Sequence, residues 1–333
     1  MRCRRFSASP PTCLPCHTVG NGNGGYVDEA TTPHLGNVQC ENCHGSGGAH
    51  VTNPSQNGMV SPLEADVCGS CHSGFHHPTF EQWETSGHAE ALATLQSRSY
   101  AGDHCLECHS AEAIVLSGVD AVLADVQVKA KNSITCVVCH DPHGGPNAGQ
   151  LREPEADICL GCHTSGGALP GNSPHHPQRE MLLGLGGFGP TGAQEIGPNS
   201  GHTSSVLARC IECHVFEEHP ADTTIDNPVN TGHTFLPKVP EACENCHPGG
   251  SGTGKLAASH AAVDAKLVVI APFLDDTDPA WIDPAVLSAA DKAKYDVAVF
   301  NKKFVEADAS NGAHNTDYAL SLLDIAIAIL SAL

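Results

Sequence analysis

The sequence predicts a mostly coil polypeptide with short α-helices, little β-structure and two longer helices near its C-terminal end. Three observations lead there. The chain holds 34 glycines and 23 prolines in 333 residues, well above the roughly 12 per cent that these two residues reach in average proteins. Aromatic residues make up 5% and charged residues 16%, so the polypeptide alone is short of core material. The third observation is a motif. Eight times a cysteine is followed three residues later by a second cysteine and then at once by histidine.

In chain order the cysteine pairs are Cys13 and Cys16, Cys40 and Cys43, Cys68 and Cys71, Cys105 and Cys108, Cys136 and Cys139, Cys159 and Cys162, Cys210 and Cys213, and Cys243 and Cys246. The histidines that close them are His17, His44, His72, His109, His140, His163, His214 and His247. C-x-x-C-H is the attachment signature of c-type haem. The thiols add across the haem vinyl groups and the adjacent imidazole becomes an axial ligand of the iron. Eight copies imply eight covalent haems. Zinc ribbons also use C-x-x-C pairs, but they do not require histidine after every second cysteine. A thioredoxin-like motif occurs once, not eight times. The motifs absorb 16 of the 17 cysteines, which leaves no disulfide framework. The remaining Cys3 reads as a free thiol, a lipid acceptor or a residue from an imprecise start. No lipoprotein-like apolar run precedes it, and this favours the last reading.

The first cysteines of successive motifs lie 23 to 51 residues apart. Porphyrins are large, flat and apolar, so they supply the core that the polypeptide lacks. Glycine- and proline-rich coil wrapped around cofactors follows, with each motif opening or capping a short helix. Residues 1–255 carry all eight motifs and form the octahaem-binding region. Residues 256–333 lack cysteine, are richer in Ala, Val and Leu, and form a C-terminal helical segment packed on the haem core.

Within that segment Ser288 is a candidate N-cap for a helix running to about Ala307, with Ala289, Ala293, Val297, Phe300 and Phe304 at helical spacing. A second helix follows His314 up to Leu330, with Tyr318, Leu322, Ile325 and Ile329 on one face. Residues 266–272 read as a short strand. The two helices are expected to act as a lid on the last haems.

Each iron has a second axial position. The three methionines, Met1, Met59 and Met181, are too few to fill eight, so bis-histidine ligation is expected. Fourteen histidines lie outside the motifs. An H-H-P run recurs after the third and sixth motifs and nominates His77 and His176, with His76 and His175 as one-residue alternatives. His202 precedes Cys210 much as His233 precedes Cys243.

Several runs resemble those of the multihaem cytochrome superfamily that includes hydroxylamine oxidoreductase and nitrite reductase. C-E-N-C-H-G-S-G-G-A-H from Cys40 resembles a shared motif, which implies that His50 ligates another haem. F-E-Q-W-E-T-S-G-H-A is similar to the W-x-x-S-x-H-A ligand segment and implies His88. C-V-V-C-H-D-P-H-G from Cys136 resembles the paired-haem motif and implies His143. N-G-A-H-N resembles the G-x-H-N ligand motif and implies His314, and H-T-F-L-P nominates His233. His34 is a further candidate, while His104, His219 and His260 read as bystanders.

The formal net charge is −21. No basic surface is available to neutralise phosphates, which excludes nucleic acid as a partner. Redox partner proteins, extracellular electron acceptors and further copies of the chain fit the charge. No stretch is expected to reach transmembrane length. The apolar residues 319–333 are interrupted by Asp324. M-R-C-R-R-F-S is charged but lacks a following apolar run, so the precursor is expected to carry an export signal that this sequence has lost. Because C-x-x-C-H haem is attached outside the cytoplasmic membrane, a periplasmic or extracellular location follows.

Two functions compete. A chain of closely spaced bis-histidine haems, closed to substrate, conducts electrons. Its haem density is similar to that of extracellular multihaem cytochrome filaments, which implies polymerisation into a wire. The alternative is an octahaem reductase or oxidoreductase acting on nitrite, hydroxylamine or a sulfur oxyanion at one open haem. The resemblance associates such sites with a C-x-x-C-K motif, which does not occur here, or with a tyrosine cross-link, for which Tyr295 and Tyr318 are candidates. The conduit reading, with no catalytic residue, is the expectation.

Overall fold

The computed structural model describes residues 13–59, 61–99, 101–116, 130–206 and 210–333. Cys3 lies outside them. Coil joins short helices, and the one sheet among the described residues is a two-stranded antiparallel hairpin, Gly187–Phe188 with Gln194–Glu195. The chain divides into two compact units. One comprises Met1–Arg152 with Val215–Leu236, the other Glu153–His214 with Pro237–Leu333.

The first unit has a small apolar cluster, Leu92, Leu95, Leu106, Ala113 and Ala130. Polar side chains tie its loops together. Trp83 donates its indole N–H to the Ile134 carbonyl (2.8 Å), Ser133 accepts from the Leu92 N–H (2.8 Å), and Thr135 donates to the Leu63 carbonyl (2.7 Å). These bonds do locally what a sheet ladder does elsewhere, satisfying backbone groups that coil would otherwise leave unpaired.

The second unit holds the larger core. Its long helices are Ser251–Leu274, Ala289–Asp308 and Thr316–Leu330. Ser288 caps the second by accepting from the Asp291 N–H (3.1 Å), and Asn315 caps the third by accepting from the Tyr318 N–H (3.2 Å). Val297, Phe300 and Phe304 of the second helix meet Tyr318, Leu322 and Ile329 of the third. Full burial of each such side chain contributes about 1.5–3 kcal/mol. Ala289 and Ala293, at the open end, are exposed. Asn301 is buried, but it donates to the Phe188 carbonyl (2.7 Å) and accepts from the Phe188 N–H (2.9 Å), which ties the hairpin to the helix.

Residues 266–272 form no strand. They lie within the helix Ser251–Leu274. Val268, Val269 and Ile270 in this run are β-branched, which favours strands locally. Ser259, Val263, Leu267, Ile270 and Leu274 nevertheless recur at helical spacing and pack inward, and tertiary burial overrides propensity. At 24 residues this helix is long and apolar enough, by length and composition, to cross a membrane, unlike the sequence expectation. Lys255, His260, Asp264 and Lys266 lie along it. Its first turn presses on the eighth motif. A Cβ on Gly252 would sit 2.7 Å from Cys243 Cβ and 3.0 Å from His247 Cβ, so this contact requires glycine.

Candidate haem-binding sites

Each C-x-x-C-H tightens into about one helical turn. Cys40–His44 and Cys210–His214 are α-helical throughout. In five motifs the histidine N–H donates back to the carbonyl of the first cysteine: His17 to Cys13 (3.1 Å), His72 to Cys68 (2.9 Å), His140 to Cys136 (2.9 Å), His163 to Cys159 (3.0 Å) and His247 to Cys243 (2.8 Å). The fourth motif places Cys108 in the helical turn Leu106–His109, directly after Cys105. In the sixth, the Cys162 N–H donates to the Cys159 carbonyl (3.3 Å), which closes the turn one residue before His163. One turn sets residues i, i+3 and i+4 on a common face. The two thiols thus line one edge and the imidazole stands beside them, as attachment to one porphyrin requires.

Fifteen of the sixteen motif cysteines are in no disulfide. Cys105, Cys108, Cys159 and Cys162 are among them, and all four are partly exposed, so a porphyrin edge can reach both thiols of each pair. Cys13 differs from the sequence expectation, because it is in a disulfide.

Among the described residues, six motif histidines each face a second histidine in the ring pairs that follow. Ring centroids are 5.9 Å apart for His44 and His143, 6.4 Å for His72 and His77, and 6.3 Å for His140 and His233. In the second unit the values are 5.6 Å for His163 and His176, 6.3 Å for His247 and His202, and 6.1 Å for His214 and His314. Two metal–imidazole bonds of roughly 2 Å end to end, plus the half-widths of two five-membered rings, span about 6 Å. Direct stacking would bring parallel rings closer. The spacing therefore fits one metal ion between each pair.

Hydrogen bonds fix ring orientation. Nδ1 of His140 bonds the Gly149 carbonyl (2.7 Å), Nδ1 of His233 the Thr231 carbonyl (2.8 Å), and Nδ1 of His109 the Ala91 carbonyl (3.1 Å). Nδ1 of His314 bonds the Asp308 carboxylate (2.7 Å). An acceptor at Nδ1 holds the proton there and leaves Nε2 as a lone pair for a metal. Burial pushes His77, His202 and His233 below the ordinary histidine range, which favours the neutral, ligating form. For His314 burial pulls the same way, but the Asp308 hydrogen bond and charge outweigh it and the net direction is up.

Neighbouring motifs touch through their thiols. Cys68 lies against Cys136, and their interaction raises the Cys68 thiol and lowers that of Cys136. Cys16 and Cys71 interact, and Cys43 lies close to Cys68 and Cys71. In the second unit Cys213 lies close to Cys243 and Cys246, with burial the main cause of its raised thiol. These cysteines would hold groups attached to different motifs close to one another.

The structure thus brings His77, His143, His176, His202, His233 and His314 to motif histidines. His50 Nδ1 bonds the Asn57 carbonyl (2.7 Å), and the His88 ring meets Phe235 edge-on at 4.2 Å. Of the alternatives, His76 packs on Phe75 and His175 on His176, each at 4.0 Å. His219 pairs with Glu217 (2.6 Å) at the surface. Met181 is fully buried in the apolar core. Sequence reasoning did not identify the residues that hold the nominated histidines. Gln82 accepts from the N–H groups of Thr231 (3.0 Å) and His233 (3.3 Å), and Asp308 accepts from His314. No motif marks either one; only the fold brings them to the histidines.

The attachment motifs and the fold are both found in known proteins. Residues 127–168 match the family described as doubled CXXCH motif, and residues 2–45 match cytochrome c554 and c-prime. The chain is 26% identical over 183 residues to the multiheme cytochrome MtrA of Shewanella baltica (strain OS185), a match covering 46% of this chain and 52% of the relative. It therefore spans about half the length of that curated protein. The crystal structure of the outer cell wall cytochrome OcwA superposes with a TM-score of 0.74 and 26% identity, over 96% of this chain and 75% of that one. An undecaheme cytochrome from the S-layer of Carboxydothermus ferrireducens shares the fold, with a TM-score of 0.66 and 23% identity, over 90% and 51%. In its attachment sequences and in its fold, the chain resembles the multihaem c-type cytochromes.

Proposed function

We propose that this chain is an electron-transfer protein holding eight covalent c-type haems, each iron clamped between two imidazoles. The separation of the six histidine pairs, 5.6–6.4 Å, carries the reading, because it fits one iron and leaves neither axial position to a substrate. When bound, haem supplies a one-electron centre.

The chain's own residues do the rest. Thiols anchor the groups in both oxidation states. At His109, His140, His233 and His314 an Nδ1 acceptor holds Nε2 in place. Thiol contacts between motifs keep neighbouring groups within a short electron-transfer distance. The nominated His50 and His88 are the candidates for the two remaining irons, those of the first and fourth motifs.

The competing catalytic reading lacks a favouring observation. The Tyr318 hydroxyl donates to the Glu195 carbonyl (2.8 Å) and accepts from the Gly187 N–H (2.9 Å), and Tyr295 lies beside Lys292. Both are engaged in packing.

The compartment we propose lies outside the cytoplasmic membrane, with redox proteins or extracellular acceptors as partners and head-to-tail contact between copies as the route to a longer conductor. Intact mass and the spin state of the oxidised protein test the proposal. Eight attached groups with every iron low-spin support it. A bare-polypeptide mass, or one high-spin iron with turnover of nitrite or hydroxylamine, overturns it. Light scattering that finds monomers under native conditions removes the polymer.

A further inference from the structure

We propose that Asp308 sets the reduction potential of the haem held by Cys210, Cys213 and His214, placing it below the potentials of haems whose distal histidines lean on neutral carbonyls. The inference rests on the reading above, with His314 as the distal ligand of this haem.

Asp308 is the last residue of the helix Ala289–Asp308 and its side chain is fully buried. The position is doubly unfavourable for a carboxylate. Burial strips its water, and a helix C-terminus is the negative end of the macrodipole. Packing alone would be served better by a neutral residue.

The surrounding loop is shaped around this group. The carboxylate accepts from His314 Nδ1 (2.7 Å) and from the Ser310 hydroxyl, and Ser310 Oγ accepts in turn from the His314 N–H (3.1 Å). Gln178 anchors the helix end by donating to the carbonyls of Ala307 and Asp308, each at 3.2 Å. The turn needs left-handed backbone at Ala309 (φ 59°) and Asn311 (φ 48°), a region that a side chain such as that of Ala309 disfavours. At Gly312 (φ 89°), a Cβ would sit 2.6 Å from Ser259 Oγ. A strained, buried, charged arrangement persists where it serves a site.

The contrast lies within the chain. His140 and His233 give their Nδ1 protons to the neutral carbonyls of Gly149 and Thr231. His143 has a carboxylate near Nδ1, that of Asp141, but it is 3.5 Å away, a third exposed and 3.9 Å from the Arg152 guanidinium. Asp308 acts at 2.7 Å in a dry setting, where its charge is poorly screened. A carboxylate on Nδ1–H makes the ring a stronger donor at Nε2. The added negative charge favours the ferric state over the ferrous one.

Redox titration of the haem-loaded full chain, resolved haem by haem by EPR and optical spectroscopy, tests the proposal. Asp308→Asn is expected to shift one transition upward and leave the others in place, while Asp308→Glu, which keeps the charge, stays nearer the parent. Ser310→Ala removes the competing donor and should shift the same transition downward, without depending on whether Asp308→Asn folds. His314→Ala is the control on the ligand. If it leaves every iron low-spin, the bis-histidine reading fails at this site and the tuning fails with it. If it yields one high-spin iron but neither Asp308→Asn nor Ser310→Ala moves a transition, or Asp308→Glu moves it as far as Asp308→Asn, the tuning is overturned and the ligation stands.

Discussion

The His143 ring lies 5.9 Å from that of His44, with the two planes only 13° apart, although His143 belongs to the C-H-D-P-H run that closes the fifth motif. One short segment therefore reaches two motifs. His140 faces its own partner, His233, and His143 reaches the second motif.

The first prediction follows from that division. The His143 side chain is 76% exposed, so replacing it costs packing no more than about 0.5 kcal/mol. His143→Ala should convert one iron, that of Cys40 and Cys43, to high-spin while the haem of Cys136 and Cys139 stays low-spin. EPR and resonance Raman of the oxidised protein read this directly. Seeing every iron remain low-spin would remove His143 as a ligand.

The motif turns and their histidines were legible because covalent chemistry writes itself as adjacent residues, and adjacency is all that a sequence displays. The Ser288 cap was legible for the same reason, since a cap bonds three residues onward. Residues 266–272 misled because β-branched side chains state only a local preference, while Val263 and Ile270 answer to a core made with other helices. Asp308 and Gln82 carried no sequence signal. Their partners are loops, and the Gln82 partners lie nearly 150 positions away.

The second prediction concerns Gln82. Its side chain donates to the Val229 carbonyl (3.1 Å) and accepts from the Thr231 N–H, the Thr231 hydroxyl and the His233 N–H. Leucine fills similar volume but leaves those groups unsatisfied, at a cost of about 1–3 kcal/mol. Gln82→Leu should lower the denaturant midpoint and free the His233 loop, so that the haem of Cys136 and Cys139 shows partial high-spin character. An unchanged midpoint would mean that the loop is held by other means.

The third prediction addresses the larger core. Phe304 is fully buried and its ring lies 5.9 Å from that of Phe300, which packs edge-on against Phe188 at 5.2 Å. Truncation to alanine opens a cavity that the helices Ala289–Asp308 and Thr316–Leu330 cannot both close around. A loss of about 3–5 kcal/mol is expected, measured by denaturant unfolding followed in the far-ultraviolet CD. A loss below about 1 kcal/mol would place Phe304 at a margin rather than in the core.

The fourth prediction concerns pH. Tyr318 is fully buried, and burial, helped by the Glu195 charge and opposed by the Gly187 N–H, pushes its hydroxyl up to about 12. The unfolded chain ionises this group near 10. Between those values the unfolded state binds fewer protons than the folded one, so stability falls as pH rises. The contribution is therefore complete below about pH 10 and is lost as pH climbs through about 12. Tyr318→Phe gives up the hydrogen bonds to Glu195 and Gly187, which lowers stability at neutral pH by about 1–3 kcal/mol. It should also flatten the alkaline slope, because nothing remains at that position to ionise. Denaturation midpoints between pH 8 and about 11.5 for both proteins check this. Parallel slopes would mean that the alkaline loss comes from other groups.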